Sequence, residues 1–407
     1  MIPYTGVYLK IPLYMEGIIS IQQAALKGKR VIVRADFDVT MRGNRILDDF
    51  RILCVLPTIR LILKKGGKVR IISHRGRPQG VKDSALGMKI IARFLERRLK
   101  RKIIFLPDIL DKTAFDKYND SPSIIFFENI RFWPEEEKND KNFARKVSLW
   151  GDIYVNEAFA NAHRDHACVT TLARLLPSYA GLGLEAEIAN LSVLFHSPQK
   201  PFVAVLGGAK LETKLPLIHR FLSSADHVFL GGALANTLFA LAGQRVGKSI
   251  VSNDYMKDKM KKILKHKKLC LPVDVVVASN LDGSSGYRVV RPDEVKDTEY
   301  IVDVGPETIA LFSSIAKTAK TVVWNGPLGY VETPSFAKGT KTFAQFLSSL
   351  KAFKVVGGGD TLSVLRHYRM LTNFTHVSTG GGAMLEFLSG KKMPAIEVLR
   401  RSRPHVL

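Results

Sequence analysis

Four arginines and a set of glycine clusters carry most of the chemistry legible in this sequence. Arg51, Arg77, Arg131 and Arg164 each fall near the end of a short apolar run in the first half of the chain, with His74 and His163 beside them. A guanidinium is a planar fork that grips a carboxylate or phosphate through two parallel N–H···O bonds. One such arginine alone is an ordinary surface residue with a local carboxylate. Four at successive run ends describe a site for a small, multiply charged anion. In the second half the same positions hold Gly207-Gly208, Gly231-Gly232, Gly357–Gly359 and Gly380–Gly382. Glycine lets backbone N–H groups approach phosphates, and a following helix adds the positive end of its dipole. Asp360 sits between a glycine triplet and Thr361 and suits Mg²⁺, which takes one or two carboxylates plus phosphate oxygens. Lys210 and Lys214 lie one helical turn apart and could aim two ammonium groups at those phosphates.

The elements that must position these groups are short β-branched runs bounded by Gly, Asp, Asn or Pro. They are Arg30–Arg34, Lys68–Ser73, Lys102–Leu106, Ser123–Phe127 and Asp152–Val155, then Pro201–Leu206, His227–Leu230, Pro272–Ala278, Thr321–Trp324, Phe353–Val356 and His376–Ser378. Helical periodicity separates most of them, as in Arg51–Lys65 and Lys89–Lys100. Strands alternating with helices predict βαβ units and parallel sheets covered on both faces. The fold class is therefore α/β, with two doubly wound domains and a helical connector, Glu185–Phe195, between them. In such sheets ligands lie beyond the carboxyl ends of the strands, where the arginines and glycines stand. An anion site on one domain and a nucleotide site on the other predict phosphoryl transfer across a closing cleft, which needs positioning and charge neutralisation and the exclusion of water.

Composition agrees. The 407 residues exceed one ordinary core, and 46% hydrophobic content supplies two. No apolar run reaches membrane-spanning length. Cys54, Cys168 and Cys270 stand far apart, as reduced thiols do in a reducing compartment, so a cytoplasmic protein is expected. The 61 Lys+Arg against 37 Asp+Glu leave a net charge of +24, which raises polyanions as partners. The excess is spread: 32 basic against 21 acidic residues in 1–196, and 29 against 16 in 197–407. A nucleic-acid binder would cluster its charge on a face with stacking aromatics, so no specific nucleic acid is expected. The densest run, Lys257–Lys268, is broken by Met260, Ile263 and Leu264 and predicts a solvated amphipathic helix. Gly243–Ser249 has three residues between its glycines where a P-loop has four, and Gly181-Leu182-Gly183 lacks the third glycine of a dinucleotide fingerprint.

Nine ordered segments resemble the phosphoglycerate kinase family: VRADFDV (Val33–Val39), DDFRI (Asp48–Ile52), SHRGRP (Ser73–Pro78), ENIRF (Glu128–Phe132), NEAFANAHRDHA (Asn156–Ala167), LGGAKLETK (Leu206–Lys214), WNGPLGYVE (Trp324–Glu332), VGGGDT (Val356–Thr361) and STGGGA (Ser378–Ala383). The resemblance implies two Rossmann-like domains: residues 1–183 for 3-phosphoglycerate, a connecting helix at 184–196, and 197–394 for Mg-ADP or Mg-ATP, with the tail 395–407 packed back on the first. Carried over by position, substrate contacts fall on Asp36, Phe37, Asp38, Arg51, His74, Arg75, Gly76, Arg77, Arg131 and Arg164. Nucleotide contacts fall on Lys214, Glu332, Gly358, Gly359, Asp360 and Thr361, with Asp360 on Mg²⁺. Arg51 and Lys214, assisted by Lys210, are the implied catalytic pair, facing each other across an open cleft. A monomer acting on small molecules, with ATP and ADP as substrates, is implied. The chain departs from the family's usual Asn at Asp38, Leu at Arg75, Pro at Thr40 and Gly at Ala160. An ion pair between Asp38 and Arg75 would restore the local charge. Met1–Tyr14 precedes the family's usual start and is expected to be an unstructured extension or a misassigned start.

Overall fold

The structure, a computed structural model, describes residues 16–209, 211–252 and 254–401. Lys210, the segment 1–15 and residues 402–407, on which some of the expectations above fall, lie outside the described residues. The described residues divide into two compact units: the first takes those from Glu16 to Ala189 together with Lys391 to Arg401, and the second spans Asn190–Gly390. The division falls within one helix, Leu182–His196.

The first unit holds a six-stranded sheet in the order Ile103–Leu106, Ile124–Phe127, Lys68–Ile72, Arg30–Arg34, Ile153–Asn156, Ser178–Ala180, with every pairing parallel. Its central strands are buried almost throughout because helices cover both faces. The two-residue period of a strand sorts the apolar side chains. Val31, Val33, Val69 and Ile71 join the core beneath the helices Phe50–Lys64 and Lys89–Leu99. Ile32, Ile72 and Tyr154 join the opposite core with Phe143 and Val147 of the helix Lys141–Ser148. The helix Pro394–Arg401 docks on that second face. Val398 enters its core, and the Ala395 N–H donates to the Ala162 carbonyl at 3.1 Å.

The second unit's main sheet runs Leu269–Cys270, His227–Leu230, Phe202–Leu206, Thr321–Asn325, Phe353–Gly357, His376–Val377, again all parallel. Counted along the chain this is 3-2-1-4-5-6, the dinucleotide-fold order. A stack of Phe229 on Phe312, with ring centroids 4.3 Å apart, and Trp324 set edge-on to Phe343 fill one face.

Two expectations are corrected. The run Pro272–Ala278 does not join the main sheet. Its strand, Val275–Ala278, is the centre of a separate antiparallel sheet with Tyr287–Val290 and Tyr300–Val304. Pro272 has no N–H to give a ladder, and the Asp274 carboxylate accepts from the N–H groups of Glu307 and Thr308, turning the chain onto the helix Pro306–Ala316. The lysine-rich helix spans Asp254–Leu264, burying Met260 and Ile263, and Lys265–Lys268 lie beyond its end.

Candidate active site

Each sheet has one place where the chain's connections diverge to opposite sides, and open α/β sheets bind ligands just beyond it. In the first unit it lies between Arg30–Arg34 and Ile153–Asn156. The loop after the first of these strands carries Asp36, Phe37 and Asp38. Ser73 Oγ accepts from the Phe37 N–H at 3.0 Å and donates to the Ala35 carbonyl at 2.9 Å, tying this loop to the next strand's end. Asp38 then accepts from the Gly76 N–H at 2.9 Å, so the two loops are held as one surface. Phe37 itself is fully buried, stacked on Phe126 at 5.8 Å, and acts from beneath the surface.

Arg51, in the first turn of the helix Phe50–Lys64, reaches back to Asp36 with Nη1–Oδ2 at 2.9 Å. Burial pushes the Asp36 carboxyl up against the pull of Arg51, while Asp36 in turn raises Arg51 further. Arg131 donates to the Gly76 carbonyl at 2.8 Å, contacts Asn161 Oδ1 at 3.5 Å and pairs with Glu137 at 3.2 Å. Burial lowers its pKa, with the nearby Arg34 guanidinium the next cause. Arg34 is entirely buried, donates to the Ala35 carbonyl at 2.6 Å, and its Nη2 lies 3.4 Å from His74 Nδ1. Burial first, then Arg34, Arg131 and Arg51, hold His74 well below the usual histidine range. Burial, then Arg131 and Arg34, bring His166 to about 4. Both imidazoles are neutral at pH 7. Arg77 and Arg164 are exposed, and Arg164 is among the charges that depress His166.

The Asp38–Arg75 ion pair does not form, and Asp38 is met by a backbone N–H, that of Gly76. Arg75 turns instead to the carbonyls of Gly87, at 2.9 Å, and Ala85. Asn129 holds the Arg75 carbonyl at 2.7 Å, so the loop presents the Arg75 side chain to the 84–87 turn and the Gly76 N–H to Asp38. The charges still sense each other, since Asp38 raises the Arg75 pKa against a larger lowering by burial. His74 Nε2 lies 3.9 Å from Asp38 Oδ2.

Sequence reasoning missed Arg34, Ser73, Asn129 and Asn161 as parts of this surface. Arg34 carried a signal, an arginine closing a strand just before the Asp36 loop; the others are short polar residues of kinds that abound in loops.

In the second unit the divergence lies between Phe202–Leu206 and Thr321–Asn325. The glycine loops after these strands and after His227–Leu230 interlock: Gly208 donates to the Pro327 carbonyl and Gly232 to the Leu328 carbonyl, both at 2.9 Å. Gly232 has a φ of +60°, and a Cβ there would stand 2.9 Å from the Gly208 nitrogen, so no other residue keeps the two loops this close. Gly358, with φ +97°, opens the helix Gly359–His367. Thr361 is buried and accepts the Gly326 N–H at 2.9 Å, bracing the loops from below. Lys214, in the helix Leu211–Ser224, is buried and its ammonium donates to the Gly207 carbonyl. Gly208, Asp360 and Glu332 line a cavity that continues over Phe239, Ile250, Pro272 and Leu328. Asp360 and Glu332 are exposed. Asp303, on the same wall, accepts from Gly339 at 2.6 Å and Val304 at 2.9 Å, and burial raises its carboxyl to about 7.

The phosphoglycerate kinase family model matches residues 21–391. A phosphoglycerate kinase of Pelotomaculum thermopropionicum is 40% identical over 388 residues, covering 93% of this chain and 98% of that protein. One from Xanthobacter flavus is 41% identical, covering 92% and 97%. Among solved structures, the phosphoglycerate kinase of Coxiella burnetii is 36% identical, covering 95% of this chain and 100% of that one, with a TM-score of 0.83. That of Pyrococcus horikoshii is 30% identical with the same coverage and a TM-score of 0.82. Among the described residues no helix is long and apolar enough to cross a membrane. A cationic surface on one parallel sheet and a glycine-walled cavity on another, matched over nearly the whole length by relatives and solved structures of one name, have one explanation: the chain belongs to the phosphoglycerate kinase family, glycolytic phosphotransferases that use ATP and ADP as substrates.

Proposed function

We propose that the protein transfers a phosphoryl group reversibly between 1,3-bisphosphoglycerate and ADP, giving 3-phosphoglycerate and ATP. The observation that carries this reading is the gathering of arginines on one surface: Arg34 Nη2 lies 3.4 Å from the buried His74 Nδ1, Arg131 bonds the Gly76 carbonyl at 2.8 Å, and Arg51 bonds Asp36 at 2.9 Å. Cations packed this closely are stabilised by an arriving anion. The phosphate and carboxylate of 3-phosphoglycerate suit Arg131, Arg77, Arg164, His74 and Gly76. Asp36, Phe37 and Asp38 shape the floor, and Arg75 holds its rim. The second unit supplies the nucleotide's place: Gly358 and Gly359 with the helix N-terminus for phosphates, Glu332 for the ribose, and Thr361 beneath.

In the transfer the substrate's own carboxylate oxygen attacks or leaves in line, so no protein nucleophile is required. Arg51 and Lys214, with Lys210 assisting, neutralise the charge that builds on the moving phosphoryl group. Lys214 must exchange the Gly207 carbonyl for phosphate oxygens to do so. The domains, 1–183 with the tail 395–407 and 197–394 joined through the helix at 184–196, would close to bring the two sites together and exclude water. The exposed Asp360 carboxylate makes no hydrogen bond or ion pair to the described residues, and they contain no cluster of three or more metal-ligating side chains. That donor set fits Mg²⁺ arriving with the nucleotide, with Asp360 as its protein ligand. When bound, Mg²⁺ would neutralise the β- and γ-phosphate oxygens. The protein is read as a cytoplasmic monomer without a specific nucleic-acid partner.

Steady-state formation of ATP from 1,3-bisphosphoglycerate and ADP tests the reading. Turnover that needs Mg²⁺ and saturates in both substrates is expected. A folded protein with no turnover in either direction would overturn it.

A further inference from the structure

One polar side chain lining the cavity keeps a buried acceptor that no partner satisfies. Asn236, in the helix Gly232–Leu241, is 4% exposed and lines the cavity beside Phe239, Ile250 and Pro272. Its Nδ2 lies 3.4 Å from the Ile250 carbonyl, and its Oδ1 is buried with no hydrogen-bond partner. A buried amide oxygen left unsatisfied is costly, and native interiors rarely keep one without a use. The neighbouring polar groups are already committed. Thr237 Oγ1 accepts from Ser252 N–H and donates to the Ala233 carbonyl, while Ser249 Oγ accepts from the Ile301 N–H.

We infer that Asn236 is a specificity-determining residue that reads the nucleobase, accepting a hydrogen bond from the exocyclic amino group of adenine. The inference deepens the proposed function and rests on the nucleotide's occupying this cavity. The apolar wall of Phe239, Ile250, Pro272 and Leu328 suits a flat base. Adenine offers an N6 amino donor beside the N7 acceptor, the pattern an Asn carboxamide complements. Hypoxanthine and guanine carry an oxygen at the same position, which would oppose Asn236 Oδ1. Rotating the carboxamide to suit them would turn Oδ1 onto the Ile250 carbonyl, acceptor against acceptor. The Ile250 carbonyl thus fixes which end of the amide the base meets.

The test measures binding of ADP, IDP and purine riboside diphosphate, which has no 6-substituent, to the whole protein by calorimetry, and turnover with ADP and IDP. The wild type should bind ADP about tenfold or more tightly than either analogue, with a matching kcat/KM ratio. Asn236→Leu should bring the three nucleotides within about twofold. A side chain that only braces the helix against Ile250 would lower the melting temperature on substitution and leave the ratio unmoved. Equal wild-type binding of the three, or an unchanged ratio in Asn236→Leu, would overturn the inference. If that variant does not fold, the wild-type ratios decide alone. Selective ADP binding without phosphoryl transfer would count against the proposed reaction and leave the base reading standing, whereas transfer with no preference would do the reverse.

Discussion

Replacing Asp38 by Asn should tighten binding of 3-phosphoglycerate. The Asp38 side chain is 40% exposed and stands among cations: it acts on Arg51, Arg75 and Arg131, and its Oδ2 lies 3.9 Å from His74 Nε2. Its structural task is to accept the Gly76 N–H, which an Asn carbonyl oxygen does equally well. The substitution therefore removes a charge and keeps the loop. A unit charge about 8 Å from a ligand charge interacts by roughly 1 kcal/mol at an effective dielectric near 40, between the values for surface and bulk water. Two or three ligand charges, discounted for screening at this half-exposed position, leave about 1–2 kcal/mol, or roughly 5- to 30-fold in KM at low ionic strength. The advantage should shrink as salt is added. Arg75→Leu acts differently, because Arg75 binds the Gly87 and Ala85 carbonyls and not Asp38. Its cost should appear in thermal stability, and the double variant should show additive effects. The assay is initial rate against 3-phosphoglycerate concentration at two salt levels, for both single variants and the pair. A KM for Asp38→Asn that is unchanged or raised, or a rescue of Arg75→Leu by Asp38→Asn, would refute the reasoning.

Other predictions rest on single contacts. Arg51→Ala and Lys214→Ala should each lower kcat by two or more orders of magnitude while the protein stays folded, as lost transition-state charge stabilisation does; near-normal kcat in either would remove that residue from its role. Glu157, buried and accepting from Thr58, Gly183 and Leu184, has a carboxyl raised to about 7. A folded pKa above the unfolded value of about 4.3 gives stability that is complete below that value and is lost as pH rises to about 7. Glu157→Gln should therefore gain melting temperature relative to the parent between pH 4.5 and 7 and hold a constant difference above, whereas a pH-independent difference would contradict the assignment. Gly232→Ala, with its φ of +60° and a Cβ 2.9 Å from the Gly208 nitrogen, should destabilise by about 1–3 kcal/mol and weaken ADP binding more than 3-phosphoglycerate binding; equal binding of both would argue against the interlocked loops.

The parallel strands were legible because double-sided burial writes a nearly unbroken apolar run, as in Phe202–Leu206 and Ile124–Phe127. The strand Ser178–Ala180 escaped notice, since three residues of Ser, Tyr and Ala carry no period. Tyr300–Val304 and Tyr287–Val290 escaped because a small antiparallel sheet with exposed edge residues breaks the pattern of the parallel runs. The site divides in the same way. Arginines and glycines at strand ends announce themselves by type and place. The destination of Arg75 depends on how a tight turn at Gly76, with φ +64°, and the Asn129 amide orient one loop against another, and no residue type encodes that. Arg34 was overlooked because a buried arginine looks, in sequence, like the polar end of a strand.

The central claim is that the cationic surface of one unit and the glycine-walled cavity of the other serve a single reaction. Its direct measurement is phosphoryl transfer from ATP to 3-phosphoglycerate, with calorimetric binding of each substrate, in the wild type, Arg131→Met and Asp360→Asn. The account predicts that Arg131→Met loses 3-phosphoglycerate binding and keeps ADP binding. Asp360→Asn should do the reverse for Mg-ADP, and both should lose transfer. Full transfer in either variant, or loss of both substrates in one that remains folded, would contradict it.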